Sequence, residues 1–227
     1  MDKITWLGQA GLLFEKNGFR IMIDPYLSDS VVKVNPKNYR RVPVDERFFD
    51  IQPDVMIFTH DHLDHYDPET VPHFINNDTN VLVLAPTSVS DKVRKLGGNN
   101  NYVVFDPHTV WTENGITIRS VKACHSDPHA IGVIIEDEGK KFYITGDTLY
   151  NEDIFSDIPN DVYTLFLPVN GLGNNMNMID AARFSEKVAP KYVVPMHCGL
   201  FDEFNLNDFP CENKVVPTFY NEIEVLK

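Results

Sequence analysis

The chain is poor in cysteine, poor in cationic side chains and without a long apolar run, and each shortage excludes something. Its three cysteines, Cys124, Cys198 and Cys211, include no Cys-x-x-Cys pair. Neither a disulfide framework nor a thiolate zinc cluster is indicated, and a reducing, cytoplasmic location is expected. Lys and Arg number 20 against 33 Asp and Glu, for a net charge of -13, which argues against a broad footprint on nucleic acid or an anionic membrane. The longest apolar stretches, at residues 81–85 and 131–135, are strand-sized and far below the roughly 20 residues of a membrane helix. The start, Met1-Asp2-Lys3, lacks a basic leader, and Gly8 and Gln9 interrupt the apolar stretch behind it, so a signal peptide is not expected. What remains is ordinary globular material, 227 residues with 43% hydrophobic, enough for one sizeable core.

Strand-like runs at residues 4–7, 11–15 and 19–23, with a turn at Asn17-Gly18, predict an antiparallel meander. Residues 28–47 carry Lys33, Lys37, Arg40, Arg41 and Arg47 without apolar periodicity and read as a long loop. Strands are then expected at 55–58, 81–85 and 102–105, with helices over 68–75 and 88–96, the second ending at Gly97-Gly98. Four further strands at 109–112, 116–122, 131–136 and 141–145 precede a second alternating stretch. That stretch has a short helix near Glu152, strands at 162–167 and 192–195, a helix over 179–188 and a closing strand near the C-terminus. A meander followed by α/β units, occurring twice, predicts one domain over residues 1–227 whose two related halves meet near Asp106. The expected architecture is a four-layer αββα sandwich, two mixed sheets face to face with helices outside.

The most informative segment is Thr59-His60-Asp61-His62-Leu63-Asp64-His65, three histidines and two aspartates directly after an apolar strand. Imidazole with carboxylate suits Zn, Mn or Fe. In an extended segment His60 and His62 point the same way and can share one ion, while a helix starting near Asp64 would turn Asp64 and His65 towards a second. Three more candidates follow later strands: His125, Asp147 within Gly146-Asp147-Thr148, and His197. Strand ends are where α/β folds place their sites. Asp61 lies between two candidates and is expected to face away, and Cys124 and Cys198, though adjacent to candidates, are expected to pack rather than ligate.

In order and spacing, His60-x-His62-x-Asp64-His65, His125, Asp147 and His197 resemble the metallo-β-lactamase fold superfamily over nearly the whole chain. Within it, Thr5-Trp6-Leu7-Gly8-Gln9-Ala10-Gly11, Ile23-Asp24-Pro25 and Pro195-Met196-His197 look like the branch of the L-ascorbate 6-phosphate lactonases, related metal-dependent hydrolases and an N-acyl phosphatidylethanolamine-hydrolysing phospholipase D. The resemblance implies two divalent ions, Zn or Mn. His60, His62 and His125 would hold one, Asp64, His65 and His197 the other, and Asp147 would bridge them. It also implies that Asp24 supports a ligand without being one; a simple Asp-Pro turn is the alternative reading of that residue.

The expected activity is metal-dependent hydrolysis of an ester-like bond, foremost a lactone of a phosphorylated sugar acid, with a hydroxide between the ions as nucleophile. Asp64 and Asp147 are the expected catalytic carboxylates, with Asp64 passing a proton to the leaving alkoxide. Hydrolysis of a small phosphodiester is the alternative; a di-iron redox protein and a binding module without catalysis are weaker ones. The substrate is expected to be a small anion. Arg40 and Arg41 could clamp its phosphate or carboxylate or form a merely solvated charge run, and His129 and Asn170 are candidate rim contacts. A homo-oligomer is compatible with the sequence.

Overall fold

The computed structural model describes residues 1–226. Its first sheet holds β1 (Lys3–Gly8), β2 (Gly11–Lys16), β3 (Phe19–Ile23), β4 (Val55–Ile57), β5 (Leu82–Ala85) and β6 (Asn101–Val104), adjacent in that order. β1 to β3 run antiparallel and β3 to β6 parallel. The second sheet holds β7 (Val110–Glu113), β8 (Ile116–Lys122), β9 (Ile131–Asp137), β10 (Lys140–Ile144), β11 (Val162–Pro168) and β12 (Tyr192–Met196). Its first four strands are antiparallel and its last two join in parallel. The hairpin turns Asn17-Gly18, Asn114-Gly115 and Glu138-Gly139 have positive φ at both residues, whose twist matches that of the flanking strands.

The period of two along each strand separates two apolar layers. Ile21 and Ile23, Val55 and Ile57, and Leu82 and Leu84 face the second sheet, where they pack with Ile116, Ile118, Val133 and Ile135. The alternate residues Met22, Met56 and Val83 form an outer layer with Val71 and Phe74 of α1 (Val71–Phe74) and Val89 and Val93 of α2 (Thr87–Val93). α3 (Met178–Val188) buries Ala181, Phe184, Ser185 and Val188, one stripe at helical spacing, and packs on β11. The Asn177 side chain accepts from the backbone N–H of Ile179 and Asp180 and starts α3.

Two mixed sheets with helices on their outer faces are the expected sandwich, though with less helix than the pattern predicts. The helix expected over 68–75 shrinks to the four residues of α1, with a proline at its first turn and Ile75 extended after it. The helix expected over 88–96 is α2 with a 3-10 tail, Arg94–Leu96, and it ends at Gly97. The segment near Glu152 is 3-10. The closing strand does not form: Lys214 and Glu222 make isolated bridges to Val193 and Thr5. Pro210 and Pro217 lack the N–H groups that a continuous ladder needs. No helix among the described residues is long and apolar enough to cross a membrane.

Candidate metal centre

Loops leaving the C-terminal ends of β4, β8, β10 and β12 converge at one edge of the sandwich and bring every metal-ligand candidate together. One ligand atom each from His60, His62, His125 and Asp147 lie within 4.8 Å of one another, and so do those of Asp64, His65 and His197. No helix begins at Asp64. Instead Tyr66 donates its N–H to the His62 carbonyl, and this single turn swings Asp64 and His65 to the second group. Asp147 reaches both, since its Oδ1 lies 3.3 Å from His65 Nε2 and 3.2 Å from His197 Nε2.

These spacings fit metal ions. Donors about 2.0 Å from one tetrahedral ion stand about 3.3 Å apart, and His125 Nε2 is 3.2 Å from His62 Nδ1 while His197 Nε2 is 3.3 Å from Asp64 Oδ2. His60 Nε2 is buried without a hydrogen-bond partner, a costly arrangement for a polar atom unless a cation completes it.

The backbone is bent to hold this geometry. Gln9, Asp24 and His197 have φ of 49°, 42° and 61°, a left-handed conformation that costs of order 1–3 kcal/mol per residue and clusters at functional sites. Tertiary contacts fix each one. The His197 N–H donates to the Gln9 carbonyl, and the Asp24 N–H donates to the Ile57 carbonyl. Gly146, before Asp147, has φ 61°, and a Cβ there would stand 2.6 Å from the Ile131 carbonyl oxygen. Gly146→Ala is therefore expected to destabilise the protein by about 2 kcal/mol, lowering Tm by about 4–8 °C in a thermal scan. An unchanged Tm would show that the close approach is not required.

Asp24 occupies the supporting position. Its carboxylate accepts from the Thr59 N–H at 2.8 Å and from the Thr59 hydroxyl, and lies 2.8 Å from His65 Nδ1. Nδ1 thus carries the proton and Nε2 offers its lone pair to the cluster. Three supports carry no signal in the sequence reading. Thr59 is one. Gln9 donates to Asp64 Oδ2 at 2.9 Å. Asn175 donates to Asp147 Oδ2 at 2.8 Å and accepts from the Thr148 N–H. Each could have been suspected only from its place in a strand-end turn.

Burial and neighbouring charge sort the titratable groups. Burial, aided by the other imidazoles, holds His60 well below the usual histidine range, and burial also lowers His125. For Asp147, burial opposes ionisation but is outweighed by His197 and His65, which hold the carboxyl well below the carboxylate range. Asp64 is depressed in the same way, chiefly by His65 after burial. Burial pulls His65 and His197 down, yet the surrounding carboxylates, Asp147 first, raise His65 well above the usual value and His197 to about 10.

A pH dependence follows. The raised His65 and His197 are expected to carry protons in the metal-free protein at neutral pH, and a cation would displace them. Metal uptake is expected to release up to about two protons per chain near pH 7, so apparent affinity rises with pH and falls as the solution is acidified. Calorimetric titration of Zn in buffers of different ionisation enthalpy measures this release directly. Zero release would contradict the raised histidines.

The remaining candidates fare unevenly. Asn170 stands beside the centre, with Nδ2 3.2 Å from His197 Nδ1. His129 is exposed and lines a neighbouring groove with His62, Ser126 and Asp127, outside the cavity over the centre. The Arg40 guanidinium donates to the carbonyls of Tyr26, Ser28 and Val42 and to the Tyr220 hydroxyl, so four of its five N–H groups staple the 28–47 loop, and it does not line the cavity. Arg41 donates to the Phe201 carbonyl, lies over the Tyr39 ring and does not line the cavity either. The loop folds back on itself and spends these charges internally. Asp61 pairs with Lys92, and Cys198 is buried against the Phe204 carbonyl, so neither enters the centre.

Comparison with known proteins agrees with this geometry. The family described as Beta-lactamase superfamily domain matches residues 3–197. A UPF0173 metal-dependent hydrolase of Sulfurisphaera tokodaii is 30% identical over 92% of this chain and 90% of its own length. Another, from Staphylococcus carnosus, is 28% identical over 99% of this chain and 96% of its own. The crystal structure of the metallo-β-lactamase fold protein YhfI from Bacillus subtilis superposes with a TM-score of 0.72 at 16% identity, covering 97% of this chain and 98% of that one; at this identity the likeness concerns the fold.

Proposed function

The chain belongs to the β-lactamase superfamily and, with its relative from Sulfurisphaera tokodaii, to the UPF0173 metal-dependent hydrolases, and we propose that it hydrolyses an ester-like bond, a sugar-acid lactone, at a pair of divalent ions, Zn or Mn. The observation that carries this reading is the convergence of two donor groups beside an open cavity, with His60 Nε2 buried without a hydrogen-bond partner and Asp147 lining the cavity. His60, His62 and His125 would hold one ion, Asp64, His65 and His197 the other, with Asp147 between them. Bound ions of this kind acidify a water and polarise a carbonyl.

The chain's own residues supply the rest. The cavity is about 170 Å³ and open to solvent, and Asp64, Asp147 and His197 lie among the residues that line it. Asp64 lines the cavity, where it is placed to take a proton from water and pass it to a leaving alkoxide. Gln9 and Asn175 hold Asp64 and Asp147 in place, which keeps the site organised before substrate arrives. Asn170 and Asn38 line the same cavity, and the Asn38 side-chain amide has no protein partner among the described residues. They suit the hydroxyls of a small polar ring.

The test is acid release from gluconolactone by Zn- or Mn-loaded protein, compared with metal-stripped protein and with the spontaneous reaction. Metal-dependent release well above background is expected. Release no faster than the spontaneous rate would overturn the lactonase reading and direct the search to small phosphodiesters.

A further inference from the structure

The cavity over the centre has a charge pattern that its ligand set alone does not impose. Its walls are apolar at Val31, Leu172 and Phe201, and Asp202 adds a carboxylate at the mouth. No Lys or Arg lines it. Of the neighbouring cations, Lys33 pairs with Glu69, Arg40 binds the Tyr26 carbonyl, and Arg41 donates to the Phe201 carbonyl without lining the cavity itself. Two divalent ions against the carboxylates of Asp24, Asp64 and Asp147 leave about one positive charge, and Asp202 cancels it. Nothing here rewards a second negative charge on the substrate, and a phosphate held between Asp202 and the apolar wall would lose water without gaining a partner.

Resting on the hydrolase reading above, we propose that the cavity admits substrates uncharged away from the scissile bond and rejects those carrying phosphate or carboxylate, with Asp202 as the residue that sets this preference. Asp202 is suited to the part because it has two roles. Oδ1 accepts from the N–H groups of Gly199 and Phe204, at 2.8 and 3.1 Å, and so shapes the loop after β12. The same side chain lines the cavity, so the charge of its carboxylate faces the site. An asparagine keeps the first function through its own Oδ1 and removes the second.

The experiment compares gluconolactone with its phosphate ester on metal-loaded protein, and separately titrates the matching neutral and phosphorylated lactams, which are not turned over, by calorimetry. Wild-type protein is expected to favour the neutral member by about tenfold or more in both kcat/KM and binding. In Asp202→Asn the ratio of phosphorylated to neutral kcat/KM should rise about tenfold, mostly through KM, and Asn38→Lys should shift it in the same direction. Equal or better use of the phosphorylated compounds by wild-type protein, or an unmoved ratio in both variants, overturns the proposal while leaving lactonase chemistry in place. Preferential binding of the neutral lactam without hydrolysis of either lactone upholds it and removes the lactonase reading. Failure of both lactams to bind together with no hydrolysis of either lactone removes both.

Discussion

Asp147→Asn is expected to lower kcat/KM by about a thousandfold or more, equivalent to about 4 kcal/mol of transition-state stabilisation. Asp147 reaches both donor groups. It lies with His60, His62 and His125 within 4.8 Å, and its Oδ1 stands 3.2 Å from His197 Nε2. An amide of the same shape brings no charge to either ion and presents an NH2 where Oδ1 or Oδ2 now stands, opposing the Asn175 amide that donates to Oδ2. A second readout separates this effect from misfolding. Asp147 is the first of the carboxylates that raise His65 and His197, so in the variant both histidines should titrate lower and metal uptake near pH 7 should release fewer protons. Near wild-type turnover with unchanged proton release would mean that Asp147 is not shared between the ions.

The second large effect lies outside the proposed ligands. Asp24→Asn should weaken divalent-metal affinity about 10–100-fold while the fold is retained, the range found when a hydrogen-bond partner of a ligating histidine is removed. Asparagine tolerates the left-handed backbone at φ 42° and can still accept the Thr59 N–H. It cannot also accept from the Thr59 hydroxyl and His65 Nδ1, as the carboxylate does now, so His65 is free to turn or change tautomer. Asp24→Ala should add a loss of folding stability of about 1–3 kcal/mol, because the buried Thr59 N–H is left without its acceptor. Competition with a chromophoric chelator and denaturant unfolding read the two effects apart. Wild-type affinity in Asp24→Asn would reduce the residue to a strand-ending turn.

Which parts of this molecule could be read from sequence follows from the range of the interactions. The strands were legible because the short apolar runs of β3, β4 and β5 are local, and the ligand candidates were legible because imidazole and carboxylate cluster directly behind apolar runs. Gln9, Thr59 and Asn175 were not. Amides and hydroxyls occur in every loop, and what distinguishes these three is a bond to a particular ligand or its support, across 55 residues from Gln9 to Asp64 and 28 from Asn175 to Asp147. The partners of Arg40 were hidden for the same reason: above all Tyr220, whose hydroxyl accepts from its guanidinium, lies at the far end of the chain. The C-terminal segment reads as a strand by composition, yet it joins β1 only through scattered bonds such as Ile223 N–H to the Ile4 carbonyl. The turn at Asp64 needed no helix, since hydrogen bonds from the His65 and Tyr66 N–H groups to the His62 carbonyl do the same work.

The central claim, that two groups of side chains on the strand ends each hold a divalent ion with Asp147 between them, is tested most directly by anomalous scattering from crystals of Zn-loaded protein. The account predicts two peaks per chain, one among His60, His62 and His125 and one among Asp64, His65 and His197, each about 2.0–2.3 Å from its donors and both within reach of Asp147. A single peak, or none at these residues in protein that still hydrolyses substrate, would contradict it.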